Sequence, residues 1–121
     1  MVLCDTSIWV DHLRSTNAGC VELLTANQVR VHPWTIGELA LGNLKQRPVI
    51  LKLLGQLPQA VCATHEEVMS LIETRKLHAR GIGYVDVHLL ASTLLMPGER
   101  LWTLDQRLAA TAEEVGISLR R

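Results

Sequence analysis

Short apolar runs alternate with amphipathic segments along the whole chain. The first run is Val2–Cys4, and the segment after it places apolar residues at helical spacing up to about Arg14. Four further runs of this kind are predicted to be strands, at residues 29–32, 60–63, 101–103 and 117–119. Strands that alternate with helices form a parallel sheet with helices on both faces. The sequence therefore predicts an α/β fold with a mostly parallel central sheet of about four to five strands.

Composition limits the classes of function that remain open. A chain of 121 residues that is 48% apolar predicts one domain, spanning 1–121, with one core. Twelve basic residues balance twelve acidic ones, so any binding of nucleic acid depends on local patches or on metal. Cys4, Cys20 and Cys62 lack metal-type spacing and predict reduced thiols in a cytoplasmic protein. We expect no signal peptide, no bilayer-spanning segment and no membrane partner.

Four carboxylates lie beside or within apolar runs, where an isolated charge is costly. Asp5 and Asp105 directly follow predicted strands. Glu38 is predicted in the first turn of the helix after the second strand, and Asp86 in the first turn of a buried helix at 85–96. Because the carboxyl ends of parallel strands share one edge, we expect these acids to converge there. Clustered carboxylates repel each other unless a cation shares them, and their hard oxygens suit Mg²⁺ or Mn²⁺.

Each acid also has a purely structural interpretation. Asp5 and Asp105 are good helix N-caps, Glu38 could complete a capping box at its own helix start, and the helix dipole favours Asp86. One alternative is therefore a non-catalytic binding module whose acids only cap helices. Another is a phosphatase-like α/β domain, which would need a second acid at position 7, where Ser7 stands.

Cations, histidine and tryptophan offer further candidates. Five basic residues flank the acidic segments and could contact phosphates, although a solvated surface charge explains each equally well: Arg14, Lys45, Arg47, Arg80 and Arg100.

His88 lies about 200° around a helix from Asp86, so the two cannot share a ligand, and we predict a core or interface position for His88. Trp9, Trp34 and Trp102 are predicted as core or interface anchors.

Four segments carry a family pattern in a fixed order. They are the opening V-L-C-D-T-S-I-W-V-D-H-L-R, the mid-chain T-I-G-E-L, the segment G-Y-V-D-V-H-L-L-A-S and the late W-T-L-D-Q-R-L. Together they resemble PIN-domain ribonucleases, and more narrowly the VapC-type toxins of VapBC toxin–antitoxin systems. The resemblance covers the whole chain.

The resemblance implies a PIN-like three-layer α/β/α fold and an Mg²⁺- or Mn²⁺-dependent endoribonuclease. It gives catalytic and metal-binding roles to Asp5, Glu38, Asp86 and Asp105. It gives auxiliary roles to the hydroxyls of Thr6, Ser7 and Thr103. It further implies cleavage of cellular RNA such as tRNA, inhibition of translation and growth, a VapB-like antitoxin, a homodimer and a prokaryotic cytoplasm. A PIN nuclease that processes RNA without being a toxin is the alternative on the same fold.

Overall fold

The computed structural model describes residues 1–120 and has a parallel sheet at its centre. Within that range the sheet has three strands in the order β2-β1-β3, all parallel. The strands are β1 (Val2–Cys4), β2 (Val29–Arg30) and β3 (Arg100–Trp102). The helices are α1 (Thr6–Ser15), α2 (Ala18–Thr25), α3 (Pro33–Leu41), α4 (Arg47–Gln56), α5 (His65–Arg75), α6 (Tyr84–Leu94) and α7 (Gln106–Glu114). The predicted α/β fold with a parallel sheet is confirmed.

Alternate residues of the strands face two separate helical layers, as the two-residue repeat of a strand requires. Leu3 and Leu101 pack with α5, α6 and α7 in one apolar core. Val2, Cys4 and Trp102 pack with α1 to α4 in the other. The molecule is therefore built in three layers, helices on sheet on helices.

At each outer edge of the sheet, where a further strand was predicted, a single residue pairs with the neighbouring strand. Gln59 forms an isolated parallel bridge beside β2, and Ser118 forms one beside β3. No strand forms at 60–63, where Val61 is 53% exposed and the chain turns away from the sheet after its bridge. The run at 117–119 likewise contributes only its one bridge.

Helix α3 begins earlier than the sequence pattern indicates. Pro33 occupies its first position, where the missing N–H costs nothing. His32 is the N-cap, and its Nδ1 accepts the N–H of Trp34 at 3.0 Å. Thr35 is therefore the third helical residue, and Glu38 lies in the second turn. The predicted first-turn position of Glu38 is wrong because the proline that closes β2 also opens the helix.

Two helices on the other face follow the sequence closely. The capping box of α5 is confirmed, since Thr64 accepts the N–H of Glu67 at 3.1 Å and Glu67 accepts that of Thr64 at 2.9 Å. Helix α6 is buried at every position from 87 to 93, as predicted for a helix that is apolar nearly all round. In the described part of the chain, none of the helices has the length and apolar character needed to span a bilayer.

The strand register determines what meets at the carboxyl edge. Cys4 pairs with Trp102, so β1 and β3 end at the same level. The N–H of Asp5 donates to the carbonyl of Trp102 at 3.0 Å, which extends the pairing by one step. Asp5 and Thr103 therefore leave the sheet side by side.

Candidate active site

The carboxylate of Asp5 is the buried centre of the site. Its side chain makes no capping bond to α1, although Asp5 occupies the N-cap position. Instead Oδ2 accepts the hydroxyl of Ser7 at 2.8 Å and that of Thr103 at 2.5 Å. Asp5 is only 6% exposed, so these hydroxyls replace much of its water. The simple N-cap interpretation of Asp5 is therefore wrong.

The two hydroxyls tie both strand ends to this carboxylate. Ser7 Oγ accepts the N–H of Leu104 at 2.9 Å, and Thr103 Oγ1 accepts the N–H of Asp105 at 3.0 Å. Each hydroxyl has one proton, and both protons point at Asp5. The orientation of Asp5 is thus determined by Ser7, two residues away, and by Thr103, which lies 98 residues away in sequence.

Glu38 reaches across from α3 to α1. Thr6 Oγ1 donates to Glu38 Oε1 at 2.7 Å, and Glu38 itself is exposed. The alternative capping box with Thr35 does not form, because the Thr35 hydroxyl is buried and has no hydrogen-bond partner in residues 1–120. Glu38 is therefore held next to the start of α1, directly after Asp5.

Asp105 does cap its helix, as the structural interpretation predicted. Oδ1 accepts the N–H of Arg107 at 2.9 Å and that of Leu108 at 3.2 Å. Asp86 has a similar local bond, since its Oδ2 accepts the N–H of Gly83 at 2.9 Å. Capping and catalysis do not exclude each other, because a carboxylate has a second oxygen.

The electrostatics of Asp86 connect all four acids. Burial raises the pKa of the Asp86 carboxyl above its ordinary value, and the N–H of Gly83 opposes that shift. The negative charges of Asp5, Asp105 and Glu38 raise this pKa further. Like charges act this way only at short range through protein. The edge of the sheet therefore brings the four predicted acids into one electrostatic cluster.

The acids share one further property that decides whether a metal ion fits. In each of them one oxygen accepts a hydrogen bond from a hydroxyl or a backbone N–H, and the other accepts no hydrogen bond within residues 1–120. As the side chains stand, no three His, Cys, Asp or Glu residues of the described chain are placed to hold one ion. Mutual repulsion keeps free carboxylates apart, and a shared cation removes that repulsion. Four carboxylates that repel one another offer the hard oxygen ligands that Mg²⁺ and Mn²⁺ prefer, so the residues present fit either ion.

An aromatic cluster adjoins the acids on the same two helices. Trp34 lies one turn before Glu38 on α3 and is 41% exposed, so it is not a core residue. Its ring lies 4.0 Å from that of His88, and the ring of Tyr84 lies 4.7 Å from His88. His88 is buried, as predicted, and both its ring nitrogens are without a partner in the described chain. The sequence gives a signal for this cluster only in retrospect, as Trp34 and Tyr84 each lie within four residues of a site acid.

Comparison with known proteins bears on the family to which the chain belongs. No family model matches the sequence. Two proteins named Ribonuclease VapC32, from Mycobacterium tuberculosis strains CDC 1551 / Oshkosh and ATCC 25618 / H37Rv, are each 50% identical over 119 residues. These matches cover 98% of this chain and 96% of each relative. Such identity over nearly the full length, on a fold with acids at the carboxyl edge, shows that the chain belongs to the VapC-type family of PIN-domain ribonucleases.

Proposed function

We propose that the chain is a metal-dependent endoribonuclease that acts as the toxin of a toxin–antitoxin pair. The observation that carries this proposal is the buried carboxylate of Asp5, which caps no helix and which Ser7 and Thr103 hold at the edge of the sheet. The raised pKa of Asp86, to which the charges of Asp5, Asp105 and Glu38 contribute, supports it. A cluster of like charges destabilises the folded protein. Such clusters are typical of functional sites, where the charges bind a ligand or take part in the reaction. Because the chain belongs to a ribonuclease family, we propose RNA as its substrate.

In this proposal the four acids would hold Mg²⁺ or Mn²⁺ through their free oxygens. When bound, the cation supplies positive charge and Lewis acidity to a phosphodiester. Asp5 contributes an oxygen whose direction Ser7 and Thr103 have already determined. Glu38, which is exposed and accepts the hydroxyl of Thr6, would either hold the cation directly or take the proton of an attacking water.

The reaction is hydrolysis of one phosphodiester bond. The oxygen of water bonds to phosphorus, and the bond from phosphorus to the 3′-oxygen breaks. One proton of the water passes to the base, and the 3′-oxygen takes up a proton from solvent. The products are a 5′-phosphate and a 3′-hydroxyl, the pair that the family resemblance implies.

The rival functions fit the structure less well. A phosphatase would use an acid at position 7, but the Ser7 hydroxyl is committed to Asp5. A module whose acids only cap helices does not explain Asp5, whose side chain caps nothing, or Glu38, which bonds to another helix. A PIN nuclease that processes RNA shares this chemistry and differs only in its effect on the cell.

Asp5→Asn tests the chemistry, because it keeps the shape of the side chain and removes its charge. We expect cleavage of a labelled RNA to fall by at least about 100-fold. Asp11→Asn is the matched control, since Asp11 lies on α1 with its Oδ2 bonded to Asn17 and outside the acid cluster. An Asp5→Asn protein that cuts RNA at the wild-type rate would overturn the proposal.

Metal binding has its own test by thermal unfolding. Mn²⁺ at about 100 times its dissociation constant stabilises a folded protein by about 2.7 kcal/mol. For 121 residues this raises Tm by about 10 °C. We expect this shift in the wild type and not in Asp5→Asn, and an equal shift in both would show that the ion binds elsewhere.

The partners belong to the same proposal. A VapB-like antitoxin has a suitable surface in an apolar groove of about 320 Å³ lined by Trp9, Leu24 and Leu53. Homodimer formation is supported by the exposed rings of Trp34 and Tyr84. Sedimentation at increasing concentration tests the dimer, and co-purification with the product of a neighbouring small gene tests the antitoxin.

The toxin role is tested in cells, and tRNA is the substrate to assay first. Induced expression should arrest growth and translation, whereas Asp5→Asn should not. A nuclease that only processes RNA would give cleavage in vitro without growth arrest. Location in a prokaryotic cytoplasm is supported by the three cysteines, which form no disulfide within residues 1–120.

A further inference from the structure

A cleft of about 660 Å³ opens beside the acid cluster, between α1 and the end of α3. Thr6 and Glu38, which are bonded to each other, belong to its wall. Arg14 lines the same wall eight residues further along α1, about 12 Å from Thr6 along the helix axis. Lys45 lines it from the loop at 42–46 that follows α3. The cleft therefore joins Glu38, one of the proposed catalytic acids, to two cations that lie beyond it.

These two cations differ from the other basic residues that flank the acidic segments. Arg80 forms an ion pair with Glu114, and the guanidinium of Arg100 donates to the carbonyl of Gly116. Arg47 donates to a backbone carbonyl at 3.3 Å.

Arg14 and Lys45 are exposed and make no hydrogen bond or ion pair within residues 1–120. They do not pair even with Glu38, which shares the cleft. The structure thus separates two cations without such a bond from three that are bonded to other groups of the protein.

We propose that this cleft holds the RNA strand that flanks the cleaved phosphodiester, with Arg14 and Lys45 each contacting a phosphate. The inference rests on the proposed ribonuclease activity and adds the residues that bind the substrate. The chain has a net charge of zero, so no overall field attracts RNA, and the acid cluster repels it. Local cations that continue from the site would supply the required attraction. Arg14, about 12 Å from Thr6 along the helix axis, would contact a phosphate other than the one that is cut.

The experiment measures how salt weakens binding of a fluorescein-labelled single-stranded RNA. The proteins are full-length chains in the Asp5→Asn background, which prevents cleavage, with and without Arg14→Gln and Lys45→Gln. Each phosphate contact on a single strand contributes about 0.7 to the slope of log K against log salt. Removing two contacts therefore flattens the slope by about 1.4. Between 50 and 200 mM salt, the double variant should lose about sevenfold less affinity than its parent.

Lys52→Gln is the matched control, because Lys52 is exposed on α4, carries the same charge and does not line the cleft. We expect its salt slope to equal that of the parent. In the active enzyme, Arg14→Gln and Lys45→Gln should raise KM rather than lower kcat, since both side chains lie outside the acid cluster. Melting curves of each variant verify that the fold is intact.

The outcomes separate this inference from the proposed function. If the wild type cuts RNA and Asp5→Asn does not, but the double variant keeps the parental slope, the cleft assignment alone is wrong. A double variant that keeps this slope and instead loses affinity for a protein inhibitor also overturns it, and assigns the cleft to a protein partner. If the wild type neither binds nor cuts RNA, both conclusions fail together.

Discussion

Thr103→Val is the sharpest test of how the site is built, because it removes one hydroxyl and keeps the shape of the side chain. The lost hydroxyl donates to the buried carboxylate of Asp5 at 2.5 Å and accepts the N–H of Asp105 at 3.0 Å. A hydrogen bond to a charged group contributes about 1.5–3 kcal/mol. Asp5 is 6% exposed and cannot readily recruit water in its place, whereas Asp105 is exposed and can.

The expected magnitude follows from chain length. The entropy of unfolding of 121 residues is about 0.25 kcal/mol/K near Tm. Loss of the Asp5 bond should therefore lower Tm by about 6–12 °C in metal-free buffer at pH 7, measured by calorimetry. Thr103→Ser, which keeps the hydroxyl, should recover most of this loss.

Thr111→Val is the matched control for Thr103→Val. The buried hydroxyl of Thr111 donates only to the carbonyl of Arg107 in its own helix, at 3.0 Å. Removing such a bond changes stability little, by about 0.5 kcal/mol or less. If Thr103→Val and Thr111→Val melt within about 2 °C of each other, Thr103 does not hold Asp5 and the reasoning is refuted.

Three further substitutions are expected to change stability in defined directions. The pKa of Asp86 is raised in the folded protein, so the stability that its carboxyl contributes is present below the unfolded-state pKa and is lost as pH rises through the folded-state pKa. Asp86→Asn should therefore stabilise the metal-free protein at pH 7, as measured by urea unfolding. The same substitution should abolish RNA cleavage. Burial, and then the charge of His88, lower the pKa of His32 to about 4, so the wild type should lose stability as pH falls from about 6.5 to about 4. His32→Asn keeps a capping acceptor and should weaken that dependence in acid titrations followed by circular dichroism. Gly81 has a φ of +75°, and a Cβ added there would overlap the guanidinium of Arg107. Because of this strain and overlap, Gly81→Ala should lower Tm by about 4–12 °C. Adding Arg107→Ala to that variant should relieve part of the loss, because it removes the overlapping group.

The general fold could be predicted from the sequence because alternation of strands and helices is a local pattern. Val2–Cys4 was predicted with its observed bounds, and the capping box at Thr64 needed only adjacent residues. The edge of the sheet could not be predicted to the same extent. Whether the run at 60–63 pairs over four residues or leaves the sheet after Gln59 depends on how the chain packs beyond the bridge. Hydrophobicity alone does not report that packing.

The site was predictable where it depends on strand ends and not where it depends on distant contacts. Asp5 directly follows β1, Asp105 comes three residues after the last residue of β3, and the register ends both strands at the same edge of the sheet. The partner of Glu38 is Thr6, which lies 32 residues away, and no local spacing indicates that bond. A capping box between Thr35 and Glu38 also matched the sequence, because a threonine followed three residues later by a glutamate is the usual pattern. It does not form, because the helix begins at Pro33 and Thr35 therefore lies inside it.

The arrangement of donors around the acids explains how a neutral chain can retain a concentrated negative charge. Each carboxylate accepts a hydrogen bond on one oxygen from a hydroxyl or a backbone N–H, which stabilises the ionised form without removing its charge. At Asp86 that compensation is incomplete, because burial and three like charges outweigh the single N–H of Gly83. The remaining repulsion is the part that a divalent cation would neutralise. If this balance is correct, stability and metal affinity are coupled through Asp86, so a substitution that relieves the repulsion must also weaken Mn²⁺ binding.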